Sequence, residues 1–327
     1  MAKITVLGAG GWGIALALAA HKNNNQVSIW SPMDMGLDIL LEKRTNERLL
    51  KDIYIPEDIL LTDDINICEG NDITVIAVPS GAVREVSAKL SAVKNAGVIV
   101  NVAKGFEKDT LKLLSDVIKE ELQSNPLVVL TGPSHAEEVA RDIPTSIVAA
   151  SEDNDAATLV QQAFSGISMR VYTNNDVIGA EIGGALKNVI AICVGFCNGL
   201  GLGDNTKAAL ITRGLAEMAR LGTAMGGQQH TFAGLTGIGD LVVTCMSQHS
   251  RNNRFGTLVG GGTPVDIALK EVGTVEGYYA AENAYELSKK YNTEMPIIEQ
   301  CYKVLYEGKA PLDTVKDLMN RPITIER

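Results

Sequence analysis

The sequence predicts two domains of unlike build, a doubly wound α/β domain over residues 1–178 and an all-helical domain over residues 179–327. Three observations lead there. The first 150 residues alternate short apolar strands with helix-like runs, and a glycine turn follows the first strand directly. Past about residue 178, strand signals nearly vanish and long Ala/Leu/Gly-rich helical runs take over. A length of 327 residues accommodates both domains.

Strands are expected at residues 3–7, 26–30, 73–78, 98–102, 127–130 and 146–150. Each is short and rich in β-branched residues, as buried parallel strands tend to be. Helical runs fall between them, at 12–23 and 109–123. In the second domain helices are expected at 179–200, 206–225, 263–270, 277–291 and 296–306.

Hydrophobic residues at 46% and charged residues at 21% exclude a disordered or fibrous chain. A formal net charge of −10 repels phosphodiester backbones, so nucleic acid is excluded as a partner. An anionic ligand would then need a local island of positive charge and N–H donors. The five cysteines, Cys68, Cys193, Cys197, Cys245 and Cys301, form no CxxC or Cys/His cluster. They are expected as reduced thiols in a reducing cytosol, with no metal site. Met1-Ala2-Lys3 leads straight into a strand, and the apolar stretch 189–196 is far too short to span a bilayer. The expectation is a cytoplasmic protein without membrane insertion.

The first strand runs into Gly8-Ala9-Gly10-Gly11-Trp12-Gly13 and then a helix. Gly8, Gly10 and Gly13 fit GxGxxG in the context that motif requires. The first glycine permits a tight turn, the second lets backbone approach a pyrophosphate, and the third lets helix and sheet pack closely. Free N–H groups and the dipole at the helix start then hold the phosphates. The choice between NAD and NADP stays open. The second strand ends at Trp30, followed by Ser31-Pro32-Met33-Asp34, with neither an acid nor an arginine directly at the strand end. Ser31 does not repel a phosphate.

Two further strand ends face the crevice where open α/β sheets bind ligands. One carries Lys104, whose position at a strand end favours a role in that crevice over that of a solvated surface lysine. The other carries Thr131-Gly132-Pro133-Ser134-His135, where Ser134 can cap the next helix or bind a substrate. A lone His135 at a helix start makes no catalytic case.

In the second domain Lys187 stands in an apolar run, Ala185-Leu186-Lys187-Asn188-Val189-Ile190. Either its ammonium is buried and suited to proton transfer, or its stem packs while its head reaches water. Asp240, after Gly237-Ile238-Gly239, can cap a helix or pair with Lys187. Ser250-Arg251-Asn252-Asn253-Arg254 gathers two arginines, a hydroxyl and two amides. That composition suits a phosphate, or else is a solvated basic loop.

The segments GAGGWGIALA, AVPSGAVREV, AKGFE, GPSHAEEVA, EIGGALKNVIAI, NTKAALITRGLAEM, GLTGIGDLVVTC and SRNNRFG occur in this order in one family. Through them the chain resembles bacterial-type NAD(P)-dependent glycerol-3-phosphate dehydrogenases over nearly its whole length. The resemblance implies a Rossmann domain, then a helical domain like that of 6-phosphogluconate dehydrogenases, with the active site between them. It implies reversible hydride transfer between NAD(P)H and dihydroxyacetone phosphate, supplying glycerol phosphate for phospholipids. By the same resemblance Lys187 exchanges a proton with the substrate C2 oxygen, and Lys104 contacts both substrate and cofactor. Asp240 and Thr244 line the substrate pocket, and Gly132, Ser134, Ser250, Arg251 and Asn252 match substrate-binding positions. Arg251 also approaches the cofactor, and Gly11, Trp12, Ala136, Thr274 and Glu276 resemble further cofactor contacts. Many relatives carry arginine where this chain has Ser31-Pro32, which weakens any NADP preference without establishing NAD.

Two other readings compete with this one. A dehydrogenase of the same plan acting on a 3-hydroxy acid or 6-phosphogluconate would differ in substrate. A cofactor-sensing regulator would lack the proton-transfer site, whereas Lys104, Lys187 and Asp240 are all present. The apolar second-domain helices can pair two subunits into a homodimer or simply form a core.

Overall fold

The computed structural model describes residues 1–323 and 325. Its strands are β1 (Lys3–Leu7), β2 (Gln26–Trp30), β3 (Thr45–Asn46), β4 (Leu50–Tyr54), β5 (Leu60–Thr62), β6 (Ile73–Ile76), β7 (Val98–Asn101), β8 (Leu127–Thr131), β9 (Thr145–Ala150) and β10 (Met169–Asn174). Eight of them form one sheet in the order β10-β9-β8-β7-β6-β1-β2-β5, and β3 pairs with β4 in a separate ribbon. The chain starts at β1, builds outward through β2, then crosses back to lay β6 on β1's other side. Neighbours in the large sheet are parallel except β8 and β9. The reversal between β1 and β6 is the switch point at which open α/β sheets bind ligands.

Helices α1 (Gly11–Lys22), α2 (Leu37–Lys43), α3 (Val83–Leu90), α4 (Leu114–Glu121), α5 (Ala136–Val139) and α6 (Asn154–Phe164) accompany the sheet. One apolar cluster joins Val6 and Val75 to Ile14, Val160 and Phe164 of α1 and α6. A second joins Leu7 and Ile76 to Val83, Val86, Val117 and Ile118 of α3 and α4. Adjacent strand residues enter different clusters, so both faces of the sheet are covered, as a doubly wound domain demands.

Some expectations need correction. Residues 109–113 are not helical, because Asp109 (φ 65°) and Leu111 (φ 59°) adopt left-handed backbone and Phe106 bridges Leu113. The strand expected over 73–78 stops at Ile76, before the Pro79 turn. β10 was not foreseen: it buries Met169 and Val171 while exposing Arg170 and Tyr172, unlike the continuous apolar runs of the inner strands.

Clustering of the chain gives two units, Met1–Glu181 and Ile182–Arg327, and the division falls within α7 (Val177–Gly199). The second unit continues with α8 (Asp204–Ala224), α9 (Asp240–Met246), α10 (Arg251–Gly260), α11 (Val265–Val272), α12 (Glu276–Lys290), α13 (Pro296–Glu307) and α14 (Pro311–Met319). No strand occurs there among the described residues. Residues 250–256, weighed as a basic loop, are a cap and the start of α10, with the Ser250 hydroxyl accepting from the Asn253 N–H at 3.2 Å. Length also needs correcting for α7. Its 23 residues hold an apolar stretch with a mean hydropathy of 1.7, long and apolar enough to cross a membrane, but 94% of that stretch is buried inside the protein.

Glycines let α7 and α10 touch backbone to backbone. A Cβ at Gly195 would lie 2.8 Å from the Gly256 Cα, and one at Gly260 would lie 2.5 Å from the Phe196 carbonyl oxygen. A Cβ at Gly256 would overlap the Ile192 carbonyl oxygen. Two buried carboxylates anchor other helices. Glu181 accepts from the Ser115 N–H at 3.0 Å and from its hydroxyl, and Glu217 accepts from the N–H groups of Ile297 (2.8 Å) and Ile298 (3.2 Å). Burial pushes both carboxyls up to about 7, although these donors favour the charged forms.

Gly256→Ala should cost more than about 2 kcal/mol in urea unfolding. Gly81→Ala, which meets nothing within 4 Å, should cost under about 0.5 kcal/mol. Equal losses would contradict the backbone contact. Stability should also fall as pH rises from about 4.5 to about 7, because the folded state holds protons on Glu181 and Glu217 that the unfolded chain releases. Each shift amounts to roughly 3 kcal/mol. Glu181→Gln should flatten that slope, and an unchanged slope would mean that Glu181 does not titrate there.

Candidate active site

In the first unit the glycine turn sits at the switch point. The Gly8 N–H donates to the Trp30 carbonyl and the Ala77 N–H to the Leu7 carbonyl, both at 2.8 Å. Gly8 has φ +123°, and a Cβ there would lie 2.6 Å from the Ala77 carbonyl oxygen, so only glycine fits. A Cβ at Gly13 would overlap the Gly8 carbonyl oxygen, which is the close helix–strand approach foreseen for the third glycine. At Gly10 a Cβ would meet nothing, leaving open space over the helix start. No side chain caps α1 at Gly10, and the buried Trp12 indole N–H has no hydrogen-bond partner. Uncapped N–H groups beneath open space suit a pyrophosphate, so these residues fit a dinucleotide. Gly11 packs toward Leu49 and Ala136. Ser31 is buried; its N–H donates to the Thr62 carbonyl at 3.1 Å and its hydroxyl to the Pro32 carbonyl at 3.5 Å.

Lys104, Gly132 and Ser134 come together in the same unit. The half-buried Lys104 ammonium donates to the Gly132 carbonyl at 3.2 Å, and the Ser134 hydroxyl donates to that same oxygen at 3.0 Å. Ser134 is therefore not a helix cap; that place is taken by His135, whose side chain does not cap the helix.

In the second unit Lys187, Asp240 and Thr244 form one buried cluster. The Lys187 side chain is 8% exposed and its ammonium donates to the Asp240 carboxylate, whose side chain is 1% exposed. The ammonium also donates to the Thr244 hydroxyl at 2.8 Å, which in turn donates to the Asp240 carbonyl at 2.6 Å. The snorkelling alternative thus gives way to a paired internal charge. Asp240 is the first residue of α9, follows a π-helical turn (Leu235–Gly239), and turns its carboxylate to Lys187 instead of capping the helix. Burial pushes the neighbouring Cys245 thiol up to about 12, so it stays protonated. All five cysteines are free and buried.

Asn188, which the sequence reading passed over, starts a second chain of bonds. Its side-chain carbonyl accepts from the Asn252 amide at 2.9 Å, and the Asn252 carbonyl accepts from the Gly277 N–H at 2.9 Å. Asn252, read as a substrate contact, therefore ties α7 to the start of α12. Asn253 donates to the Cys245 carbonyl at 2.8 Å. Arg251 and Arg254 are exposed on α10, Thr274 is exposed, and Glu276 begins α12 half-buried. Among the described residues no group of three or more His, Cys, Asp or Glu could hold a metal.

Comparison with known proteins gives the same assignment for both units. Residues 3–157 match the model of the NAD-dependent glycerol-3-phosphate dehydrogenase N-terminus, and residues 176–316 match that of its C-terminus. The chain belongs to the NAD-dependent glycerol-3-phosphate dehydrogenase family. A relative from Fusobacterium nucleatum, named glycerol-3-phosphate dehydrogenase [NAD(P)+], is 53% identical and covers 100% of this chain and 99% of its own. One of the same name from Desulfitobacterium hafniense is 50% identical, over 98% of this chain and 92% of its own. The crystal structure of glycerol-3-phosphate dehydrogenase from Coxiella burnetii superposes with a TM-score of 0.94 at 38% identity, covering 98% and 99% of the two chains. The Rossmann-plus-helical architecture is thus that of the family.

The buried pair makes a stability prediction. Asp240→Ala leaves the Lys187 ammonium without its counter-charge and should cost about 3–5 kcal/mol in chemical denaturation. Adding Lys187→Met should recover most of that loss. A loss below about 1 kcal/mol in the single variant would mean that the ammonium is solvated.

Proposed function

We infer that the chain is an NAD(P)-dependent dehydrogenase interconverting dihydroxyacetone phosphate and sn-glycerol 3-phosphate. The observation that carries this is a buried lysine held by an aspartate and a threonine, in a chain whose first unit has a glycine-cradled dinucleotide turn. When bound, NAD(P)H supplies a hydride from nicotinamide C4. As the ketone is reduced, negative charge builds on the C2 oxygen, and the Lys187 ammonium stabilises that charge and donates its proton there. The amine left behind stays within hydrogen-bond reach of Asp240 and Thr244, and in the oxidative direction it takes the hydroxyl proton back. Because those partners hold the nitrogen in place, little reorganisation is needed when the charge develops.

The remaining roles follow the family resemblance. Gly8, Gly10, Gly11, Trp12 and Gly13 hold the cofactor, with Ser31, Ala136, Thr274 and Glu276 as further contacts. Lys104, Gly132, Ser134, Ser250, Arg251 and Asn252 bind the substrate, and Lys104 and Arg251 also meet the cofactor. The Arg251 guanidinium is exposed and suits the substrate phosphate, the positive island that the acidic chain requires. Either NAD or NADP serves, since Ser31 neither binds a 2′-hydroxyl as an acid would nor pairs a 2′-phosphate as an arginine would. We place the enzyme in the cytoplasm, uninserted in membrane, feeding phospholipid synthesis. Exposed Val242, Met246 and Ile267 leave apolar surface on the second unit for pairing as a homodimer.

The test is NADH and NADPH oxidation with dihydroxyacetone phosphate against dihydroxyacetone. The phosphorylated ketone should be favoured at least about a hundredfold in kcat/KM, the worth of two charge-assisted bonds. Lys187→Ala should lower kcat by about two to four orders of magnitude while leaving NADH affinity within about twofold. Equal use of both ketones would remove the phosphate site, and an unchanged kcat would remove Lys187 from the chemistry.

A further inference from the structure

Between β7 and α4 the chain makes an excursion, residues 102–113, that carries Lys104. It folds back on itself: Phe106 bridges Leu113, the Glu107 N–H donates to the Lys112 carbonyl at 3.0 Å, and the Leu111 N–H donates to the Glu107 carbonyl at 3.1 Å. These bonds shape the loop but do not tie it to the rest of the unit. Ties to the rest of the unit run from the Val102 N–H to the Ile76 carbonyl at 3.1 Å, from the Lys104 ammonium to the Gly132 carbonyl at 3.2 Å, from the Lys112 ammonium to Glu120 of α4, and, with a hold on Glu107 at two points, from Arg84 in the first turn of α3. Its Nε donates to Glu107 Oε1 at 2.5 Å and one terminal nitrogen donates to Glu107 Oε2 at 2.9 Å. The guanidinium also donates to Glu120 (2.7 Å) and Glu121 (2.8 Å) of α4, so one planar group gathers three carboxylates. The Thr110 hydroxyl closes on Glu107 Oε2 at 2.5 Å from the loop side.

The frame behind this fork is rigid. Val83, Val86 and Leu90 of α3 and Leu114, Val117 and Ile118 of α4 are buried in the same apolar cluster. Glu107 stands three residues from Lys104, so fixing the carboxylate at two points fixes the lysine's backbone as well. Arginine suits this where lysine would not, because a planar fork sets direction as well as distance. The Arg84 and Glu107 side chains are 37% and 18% exposed, and ion pairs of that kind contribute little to global stability. What such a pair can do is set geometry.

We propose that Arg84 is a positioning residue for Lys104, holding the 102–113 loop in register with the sheet through its two-point bond to Glu107. The proposal rests on the reading of Lys104 as a substrate contact. It assigns a role to the arginine of the AVPSGAVREV segment, which the hydride- and proton-transfer chemistry leaves unused.

The experiment compares Arg84→Ala, Lys104→Ala, the double variant, and Glu121→Ala, each in the full chain and checked for folding by thermal melting. Arg84→Ala should raise KM for dihydroxyacetone phosphate about tenfold with kcat within about twofold, the scale expected when a binding group is displaced. In the Lys104→Ala background the same change should add nothing, because the group it positions is gone. Glu121→Ala, which removes only an α4 partner of the guanidinium, should leave both constants near their starting values. Glu107→Gln, which weakens the bond from the loop side, keeps the test available if Arg84→Ala fails to fold. The proposal falls if Arg84→Ala leaves KM unchanged while Lys104→Ala raises it, or if Arg84→Ala is equally harmful in both backgrounds. It also falls if Glu121→Ala matches Arg84→Ala, since the guanidinium would then be a clamp between helices. If Lys104→Ala itself leaves KM unchanged, the lysine reading fails and takes the Arg84 role with it.

Discussion

An ammonium kept inside an apolar helix is the constraint on which the rest of the second unit depends. Lys187 sits in a stretch of α7 where Ala185, Leu186, Val189 and Ile190 are all fully buried. An isolated charge there would be costly by many kcal/mol. The fold answers with a carboxylate and a hydroxyl one helical turn apart on α9, Asp240 and Thr244, both turned to the same nitrogen. Burial of the pair is weak evidence for stability and stronger evidence for chemistry, because such an arrangement costs free energy that an apolar core would not.

Holding α9 and α10 against α7 closely enough for that cluster requires backbone contact, and small residues supply it. Gly195 and Gly199 on α7 meet the backbone of α10 at Gly256 and Gly260, and Gly183 lets α7 approach the Thr236 carbonyl in the turn ahead of Asp240. Asn188 and Asn252 then extend the same frame to the start of α12 at Gly277. In the first unit glycine does comparable work. Gly8 and Gly13 bring strand, helix and the Ala77 backbone together while Gly10 stays open toward the ligand side. In the proposed function, each unit carries one half of the reaction, a cradle for the cofactor in the first and a proton donor in the second.

Much of this was legible in the sequence, and the gaps have physical causes. β1, its glycine turn and the inner strands announce themselves because buried parallel strands are continuous apolar runs. β4 and β10 escaped because mostly exposed or alternating residues such as Leu50–Tyr54 resemble loop. Residues 109–113 look helical by composition, yet left-handed Asp109 and Leu111 break the helix, a conformation that residue type alone does not announce. Lys187 and Asp240 were named with their pairing left open, since residues 53 apart reveal no contact in one sequence. Asn188 left a signal that went unread: a second polar residue beside Lys187 in an apolar run needs a partner just as the lysine does. The glycines spaced by four on both α7 and α10 were a further sign that two helices would meet there.

The central claim is that the Lys187 nitrogen itself moves the proton. Chemical rescue tests it most directly: dihydroxyacetone phosphate reduction by Lys187→Ala is followed as small primary amines are added at fixed pH. The account predicts turnover that is nearly absent without amine and rises with amine concentration, to a degree that tracks the amine's pKa. Native-like turnover of Lys187→Ala with no amine present would contradict it.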